Sequence, residues 1–259
     1  QRKCLTKTGC REVNFFLAMY VGIHAVLGGF GVNFWAIAAF LLIPALLMFH
    51  RFCYLPWWHK KRAKQFGLVA ENLGLPLLPI SDNTPLSRLG NFHLYQTGAE
   101  GIECRNVLEA DTDEVKMLFF DYSYTIVSSS SEGTSRTTYR QSILHFCSPS
   151  LRLPKFFVRP EGLLHKIGSS FGYQDIDFQT HPKFSKKYLL RGEDETQIRE
   201  LFKDNVLTFF ETQTKISVEA NSDQFVIYRP KKLIKPDELK QFMDEGLGLF
   251  ALLNNPTTV

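Results

Sequence analysis

The chain has 259 residues, 44% of them hydrophobic, with 30 Lys and Arg against 26 Asp and Glu. The charge is unevenly spread: residues 1–64 hold nine bases and one acid, Glu12, whereas residues 65–259 hold 21 bases and 25 acids. This is a basic collar around an apolar stretch, joined to a mildly acidic body, and not the footprint of a nucleic-acid-binding domain.

The five cysteines, Cys4, Cys10, Cys53, Cys104 and Cys147, are odd in number and form no CxxC pair. They give neither a disulfide framework nor a structural zinc site, and as reduced thiols they favour a cytoplasmic body. From Phe15 to Phe49 there is no Asp, Glu, Lys or Arg. A membrane core is spanned by roughly 20 apolar helical residues, so this stretch is too long for one upright helix. Its middle, "GGFGVN" at Gly28–Asn33, breaks helices. The stretch therefore reads as a transmembrane hairpin, with spans near Asn14–Phe30 and Phe34–Phe49, the second containing Pro44; one long tilted helix and a buried core hairpin of a soluble protein are the alternatives. Basic residues flank both ends, which places both termini in the cytoplasm of a multi-pass protein. His24 falls inside the first span and reads as a neutral imidazole bonded locally. Trp57 and Trp58 read as a headgroup-depth belt, with Lys60, Lys61, Arg62 and Lys64 set to meet anionic membrane lipid. A first residue of Gln, not Met, leaves the true N-terminus open.

Beyond the anchor, Ala63, Phe66, Val69, Ala70 and Leu73 have helical spacing, stopped by Gly74 and Pro76. The Pro-rich run Pro76–Pro85 is the candidate boundary. The division expected is an anchor over 1–58, a juxtamembrane helix and connector over 59–85, and an α+β domain over 86–259. "GIECRNVLEA" alternates Ile102, Cys104, Asn106 and Leu108 on one face of a strand. "DEVKMLFFDYSYTIV" has apolar groups on both faces and reads as a central strand, and "RTTYRQSILHFC" returns from a polar loop, "SSSSEGTS". These form an antiparallel meander. "KFFVRP" is a fourth strand, followed by a short helix at Glu161–Ile167. "KKYLLRG" is another strand. "DETQIRELFKDNVLTFFE" carries Ile198, Leu201, Phe202, Val206 and Phe209 on one helical stripe, with Asp194 as N-cap and Gln197 completing a capping box. Two strands follow around "NSD", then a closing helix with Pro236 near its start and a stripe of Leu239, Phe242, Met243, Leu247 and Phe250. The fold class expected is α+β, an antiparallel sheet packed with helices.

"QDIDF" is the least explained motif. Alternation turns Asp175 and Asp177 to the same side, and His181 follows four residues later. The three could bind a divalent cation and support metal-dependent hydrolysis, or serve as a turn and ion pairs with Arg159 and nearby lysines. Arg159 could instead grip a carboxylate or phosphate. Asp121, among aromatics on a central strand, needs a partner such as Arg105 or Arg140. No nucleophile–base set can be assembled, and no GxGxxG or Walker-type loop is present, so neither a catalytic residue nor a cofactor is assigned.

Taken together, "CRNVLEA", "FDYSYT", "LRLPKFFVRPEGLLHKIG", "QDIDFQTHPKFSKKYLLRGEDETQIRELF" and "SVEANSDQFVIYRP" resemble a group of uncharacterised bacterial membrane proteins. The likeness covers roughly residues 60–250. It implies two apolar N-terminal segments and a cytoplasmic domain at the bacterial inner membrane, and carries no activity over. The function expected is a membrane-anchored, non-enzymatic protein whose domain binds a protein partner, as an accessory subunit of a larger membrane complex. The alternatives are the hydrolase above and a sensor that holds a small ligand or lipid in an apolar pocket between sheet and helix.

Overall fold

The computed structural model describes residues 34–76, 92–95, 99–131, 133–162 and 174–255. The first expected span, Asn14–Phe30, lies outside them, as do most of the Pro-rich run and the bulk of the expected helix at Glu161–Ile167. The chain divides into two compact units, Gln1–Lys61 and Arg62–Val259.

In the first unit, α1 (Phe34–Phe49) contains Pro44 and runs into a π-turn at His50–Tyr54. Helix α2 (Leu55–Leu73) begins in this unit and ends in the second. Helical residues Ala38–Leu73 form the one described helix long and apolar enough to cross a membrane. In its first part the large apolar side chains lie largely open, with Phe40 77% exposed and Leu47 65% exposed. A soluble core helix buries such residues, and this part of the helix does not.

The second unit is built on a seven-stranded sheet of order β1-β2-β3-β7-β6-β4-β5, with every pairing antiparallel. The meander is β1 (Glu100–Asp111), β2 (Lys116–Ser130) and β3 (Gly133–Cys147). The polar run expected as a loop is mostly strand, since β2 and β3 stay paired out to Ser130–Gly133. Exposed Ser and Thr line this arm, which needs no core to cover it. Strands β4 (Leu153–Pro160), β5 (Tyr188–Gly192), β6 (Ser217–Ser222) and β7 (Gln224–Tyr228) complete the sheet.

One face is covered by helices. Along α2, Arg62, Phe66 and Ala70 recur every four residues and are buried, with Phe66 stacked on Phe119 at 5.2 Å. Helix α3 (Pro182–Lys187) replaces the turn expected at "HPKFSKK". Helices α4 (Glu195–Leu201) and α5 (Asp204–Thr212) replace the single expected helix, with the break at Phe202–Lys203. The break keeps Phe202 and Phe210 buried and stacked, while Phe209 is only partly covered. Asp194 caps α4 by accepting from Gln197 N–H, and also accepts from the Gln197 side-chain amide. Helix α6 (Leu239–Asn254) buries Leu239, Phe242, Met243, Leu249 and Leu253, but Leu247 is 41% exposed. Gly246 takes the place of a side chain on the buried stripe. A Cβ there would lie 2.8 Å from the Phe146 ring, so only glycine lets α6 sit this close to β3.

The apolar residues between sheet and helices form one cluster, including Phe119, Leu144, Val158, Phe184, Phe210 and Ile227, each at 0–1% exposure.

Candidate ligand-binding face

A buried arginine–carboxylate pair lies on each face of the sheet. On the helix-covered face, Arg62 donates from Nε to Asp121 Oδ2 at 2.7 Å and from Nη2 to Oδ1 at 2.9 Å. Asp121 also accepts from Asn106 Nδ2 at 2.7 Å and from Ser142 Oγ at 2.6 Å. Arg62 Nη2 donates to the Ile234 carbonyl, and Ile234 N–H donates to Ser142 Oγ. Each carboxylate oxygen thus receives two donors, which is what a buried charge needs.

The partner of Asp121 is therefore Arg62, and Arg105 bonds Glu103 instead. Arg62 is 7% exposed and does not belong to the lipid-facing basic set. The remaining members of that set differ from it: Trp57 is exposed with Lys61 over its ring at 5.1 Å, and Lys60 and Lys64 are not buried.

A bulge delivers Asn106. Arg105 pairs with Asp121 and Leu108 with Phe119, so two residues of β1 oppose one of β2, and Asn106 takes φ 53°. The extra residue also reverses the alternation: Cys104 and Val107 face one way and Leu108 the other. This corrects the single face expected for Ile102, Cys104, Asn106 and Leu108.

The opposite face is covered, among the described residues, by the short strap Phe92–Tyr95, whose last three residues form a 3-10 turn. Here Arg159 Nη2 donates to Glu219 Oε1 at 2.9 Å, where Tyr228 Oη also donates at 3.0 Å. Leu94 N–H of the strap donates to Glu219 Oε2 at 3.1 Å, and Arg159 Nη2 lies 3.0 Å from His93 Nδ1. The expected pairing of Arg159 with Asp175 or Asp177 is thus replaced by Glu219, sixty residues away. Tyrosines surround the pair: Tyr95 meets Tyr122 edge-on at 5.0 Å, Tyr122 meets Tyr124 at 5.3 Å, and Tyr124 meets Tyr139 at 5.4 Å.

Burial and the Arg159 charge hold His93 below the ordinary histidine value, which keeps Nδ1 free of a proton and able to accept. Burial opposes the charge on Arg159, but Tyr228 and Glu219 outweigh it and raise its pKa. Burial drives Tyr95, Tyr122 and Tyr228 upward, so all three stay protonated donors. The Cys104 thiol is pushed up to about 12 by burial, which removes it as a nucleophile.

Asp175 and Asp177 are both exposed, and Ile176 and Phe178, which alternate with them, are buried. Asp175 accepts from Leu190 N–H at 3.2 Å, and Ile176 N–H donates to the Leu190 carbonyl, so the segment lies along the edge of β5. Burial, then Asp177, raises the Asp175 pKa, and Arg191 opposes them. Arg199 reaches the Asp177 backbone carbonyl rather than its carboxylate. His181 precedes α3 and lies 4.0 Å from Asp204. Asp175, Asp177 and His181 do not converge, and no group of three His, Cys, Asp or Glu able to hold a metal occurs among the described residues. Lys187 is bound to the carbonyls of Glu211 and Gln213.

A separate groove of about 340 Å³ is lined by Lys215, Arg229, Lys232, Glu238 and Glu245. Its charges are largely spent in pairs, Arg229 with Glu245 at 2.7 Å and Lys232 with Glu238 at 3.3 Å.

No family model matches the chain, and no curated protein matches it. Among solved structures, the crystal structure of the mycobacterial trehalose monomycolate transport factor A, TtfA, is similar with a TM-score of 0.51. The two chains are 11% identical, and the alignment covers 74% of this chain and 92% of that one. At that identity the likeness concerns the fold.

Proposed function

We propose that the protein is a membrane-anchored, non-enzymatic accessory factor whose α+β domain engages a protein partner within a larger membrane assembly. The observation that carries this reading is the helix at Ala38–Leu73, whose large apolar side chains from Phe40 to Trp57 are largely exposed. The fold of the body, similar to that of a transport factor, supports the same reading. In this proposal a second span over Asn14–Phe30 completes a hairpin in the bacterial inner membrane. Both termini lie in the cytoplasm, and Trp57, Trp58, Lys60, Lys61 and Lys64 meet the lipid headgroups.

Two measurements test it. The full chain should stay in the membrane pellet through carbonate washing, and deleting residues 14–49 should release it. Release of the full chain by the wash counts against the anchor. Isolation from native membranes in mild detergent should yield a stoichiometric partner that is absent when the body is deleted. A monodisperse lone chain counts against the accessory role.

A further inference from the structure

Strand register leaves one edge of the sheet unpaired. Strands β2 and β3 pair without interruption from Lys116–Cys147 out to Ser130–Gly133. Their neighbours stop short of that end. Strand β1 begins opposite Thr125, and β7 pairs with β3 only from Ile143 to Cys147. The outer part of β3, Gly133–Arg140, is therefore flanked on its far side by no strand among the described residues.

Two bonds further along β3 fix the direction of its backbone groups. Ser142 N–H donates to the Lys232 carbonyl and Ser148 N–H to the Asp223 carbonyl, both on the side away from β2. In an antiparallel strand the N–H and C=O of one residue point to the same side, and those of the next residue to the other. Counting back from Ser142 in steps of two, Arg140, Thr138, Arg136 and Thr134 turn their N–H and C=O outward. All four residues are exposed, and the ladder behind them has no bulge. By the same count β2 turns out only Val127 and Ser129 beyond the start of β1. An open edge of this kind is a template for one more strand.

The side chains select that strand. From Tyr122 to Gln141 the charged residues are Arg136, Arg140 and one acid, Glu132. Arg136 meets Glu100 at 3.2 Å, with both side chains exposed, and Arg140 makes no ion pair among the described residues. Lys231 lies beside the edge, its Nζ 4.9 Å from the centre of the Tyr139 ring. Lys232 and Lys235 are held by Glu238. Arg136, Arg140 and Lys231 against Glu100 and Glu132 leave an excess of positive charge along the edge. A second copy of the same edge fits poorly. Antiparallel pairing of all four outward residues sets Arg136 diagonally opposite Arg136 and Arg140 of the other copy, where like charges repel. The arginines thus guard the edge against its own kind and favour an acidic strand.

We propose that the outer edge of β3, Gly133–Arg140, takes an extended acidic segment of a partner protein as an added strand. The inference rests on the partner proposed above and says where it docks. The backbone groups of Thr134, Arg136, Thr138 and Arg140 bond the segment, and the two arginine side chains meet carboxylates on one of its faces.

The test uses the full chain in phosphatidylcholine nanodiscs and a blocked octapeptide of alternating Thr and Glu, titrated by calorimetry at low salt. A second octapeptide of the same sequence is N-methylated at every residue, which keeps the charge and removes the backbone donors. The first should bind saturably and the second about tenfold or more weakly. Thr138→Pro removes one outward N–H and none that faces β2, so it should melt as the wild type does and bind the first peptide about tenfold more weakly. Arg136→Gln with Arg140→Gln leaves the backbone untouched and should weaken binding likewise, which keeps the test open if the proline variant melts early. The proposal is overturned if the first peptide does not bind, if both peptides bind alike, or if the double arginine variant binds as the wild type does. A full chain that is dimeric in detergent and becomes monomeric on Thr138→Pro gives the edge to a second copy and overturns it too. A native partner that stays with both variants leaves the accessory role standing and removes this edge from it, whereas a lone wild-type chain removes the partner and this inference with it.

Discussion

The two buried arginines of the body differ in how completely they are satisfied. Arg62 uses Nε and Nη2 on Asp121, and Asn106 and Ser142 fill the rest of the carboxylate. Arg159 uses Nη2 on Glu219 and His93 and leaves Nε without a partner. The first pair sits under a helix in a dry layer of Phe, Leu, Ile and Val, where an unmet donor cannot reach water. The second sits, among the described residues, under the strap Phe92–Tyr95, among tyrosines and beside other unmet donors. One sheet thus carries a face finished for stability and a face left with spare hydrogen-bonding capacity. A buried ion pair is by itself weak support for stability, and its completeness is what separates these two.

The contrast predicts unequal responses to substitution. The largest belongs to Asp121→Ala, which strands the Arg62 guanidinium in the apolar layer. It should cost about 3–5 kcal/mol, read as a fall in the denaturant midpoint, because breaking a buried pair leaves an uncompensated charge. A cost under about 1 kcal/mol would place Asp121 with ordinary exposed pairs and remove the distinction. Next is Gly246→Val, on the same face. Its side chain meets Phe146 and Leu144 at the helix–strand contact, and overpacking there should cost about 1–3 kcal/mol. An unchanged melting temperature would mean that α6 does not sit this close to β3.

The strap-covered face should respond to pH in a smaller way. The His93 pKa is lowered, so the unfolded chain binds the proton more readily than the folded one. The stabilisation is present above the ordinary value of 6.5 and is lost as the pH falls through the folded pKa. Protonation ends acceptance from Arg159 and sets two cations together. Melting temperatures taken on either side of that value should fall on acidification, and His93→Gln should flatten the fall. An equal fall in both proteins would assign the acid sensitivity elsewhere. The smallest effect is expected of Tyr122→Phe alone, within about 0.5 kcal/mol of wild type, because the deleted hydroxyl has no partner to lose.

Local signals in the sequence identify much of the fold. Phe66 and Ala70 mark their helix by spacing, Asp194 and Gln197 mark a cap, and Gly192 marks the end of β5. Alternation places Asp175 and Asp177 correctly but cannot show that a backbone amide, Leu190 N–H, holds the first. Alternation fails at Asn106, where a left-handed residue inserts a bulge, and the helical stripe fails at Phe202, where tertiary packing favours two short helices. Arg62 stands in a run of lysines and reads as part of a lipid-facing patch. Its role depends on Asp121, 59 residues away, and no periodicity relates the two. The unmet donors of the strap-covered face are least legible, because they come from the strap and five strands and share a face only through the register of the sheet. Apolar aromatic strands suggest a greasy pocket under a helix, whereas the unmet groups are polar and lie on the other side.

The difference between the faces is tested most directly by melting two proteins side by side, Asp121→Ala and the double variant Tyr122→Phe with Ser217→Ala. The account predicts a large loss of stability in the first, and in the second none or a slight gain. A double variant that loses as much as Asp121→Ala would show the strap-covered hydroxyls to be structural, and would contradict the division of the sheet into a face whose buried polar groups are met and one where some are not.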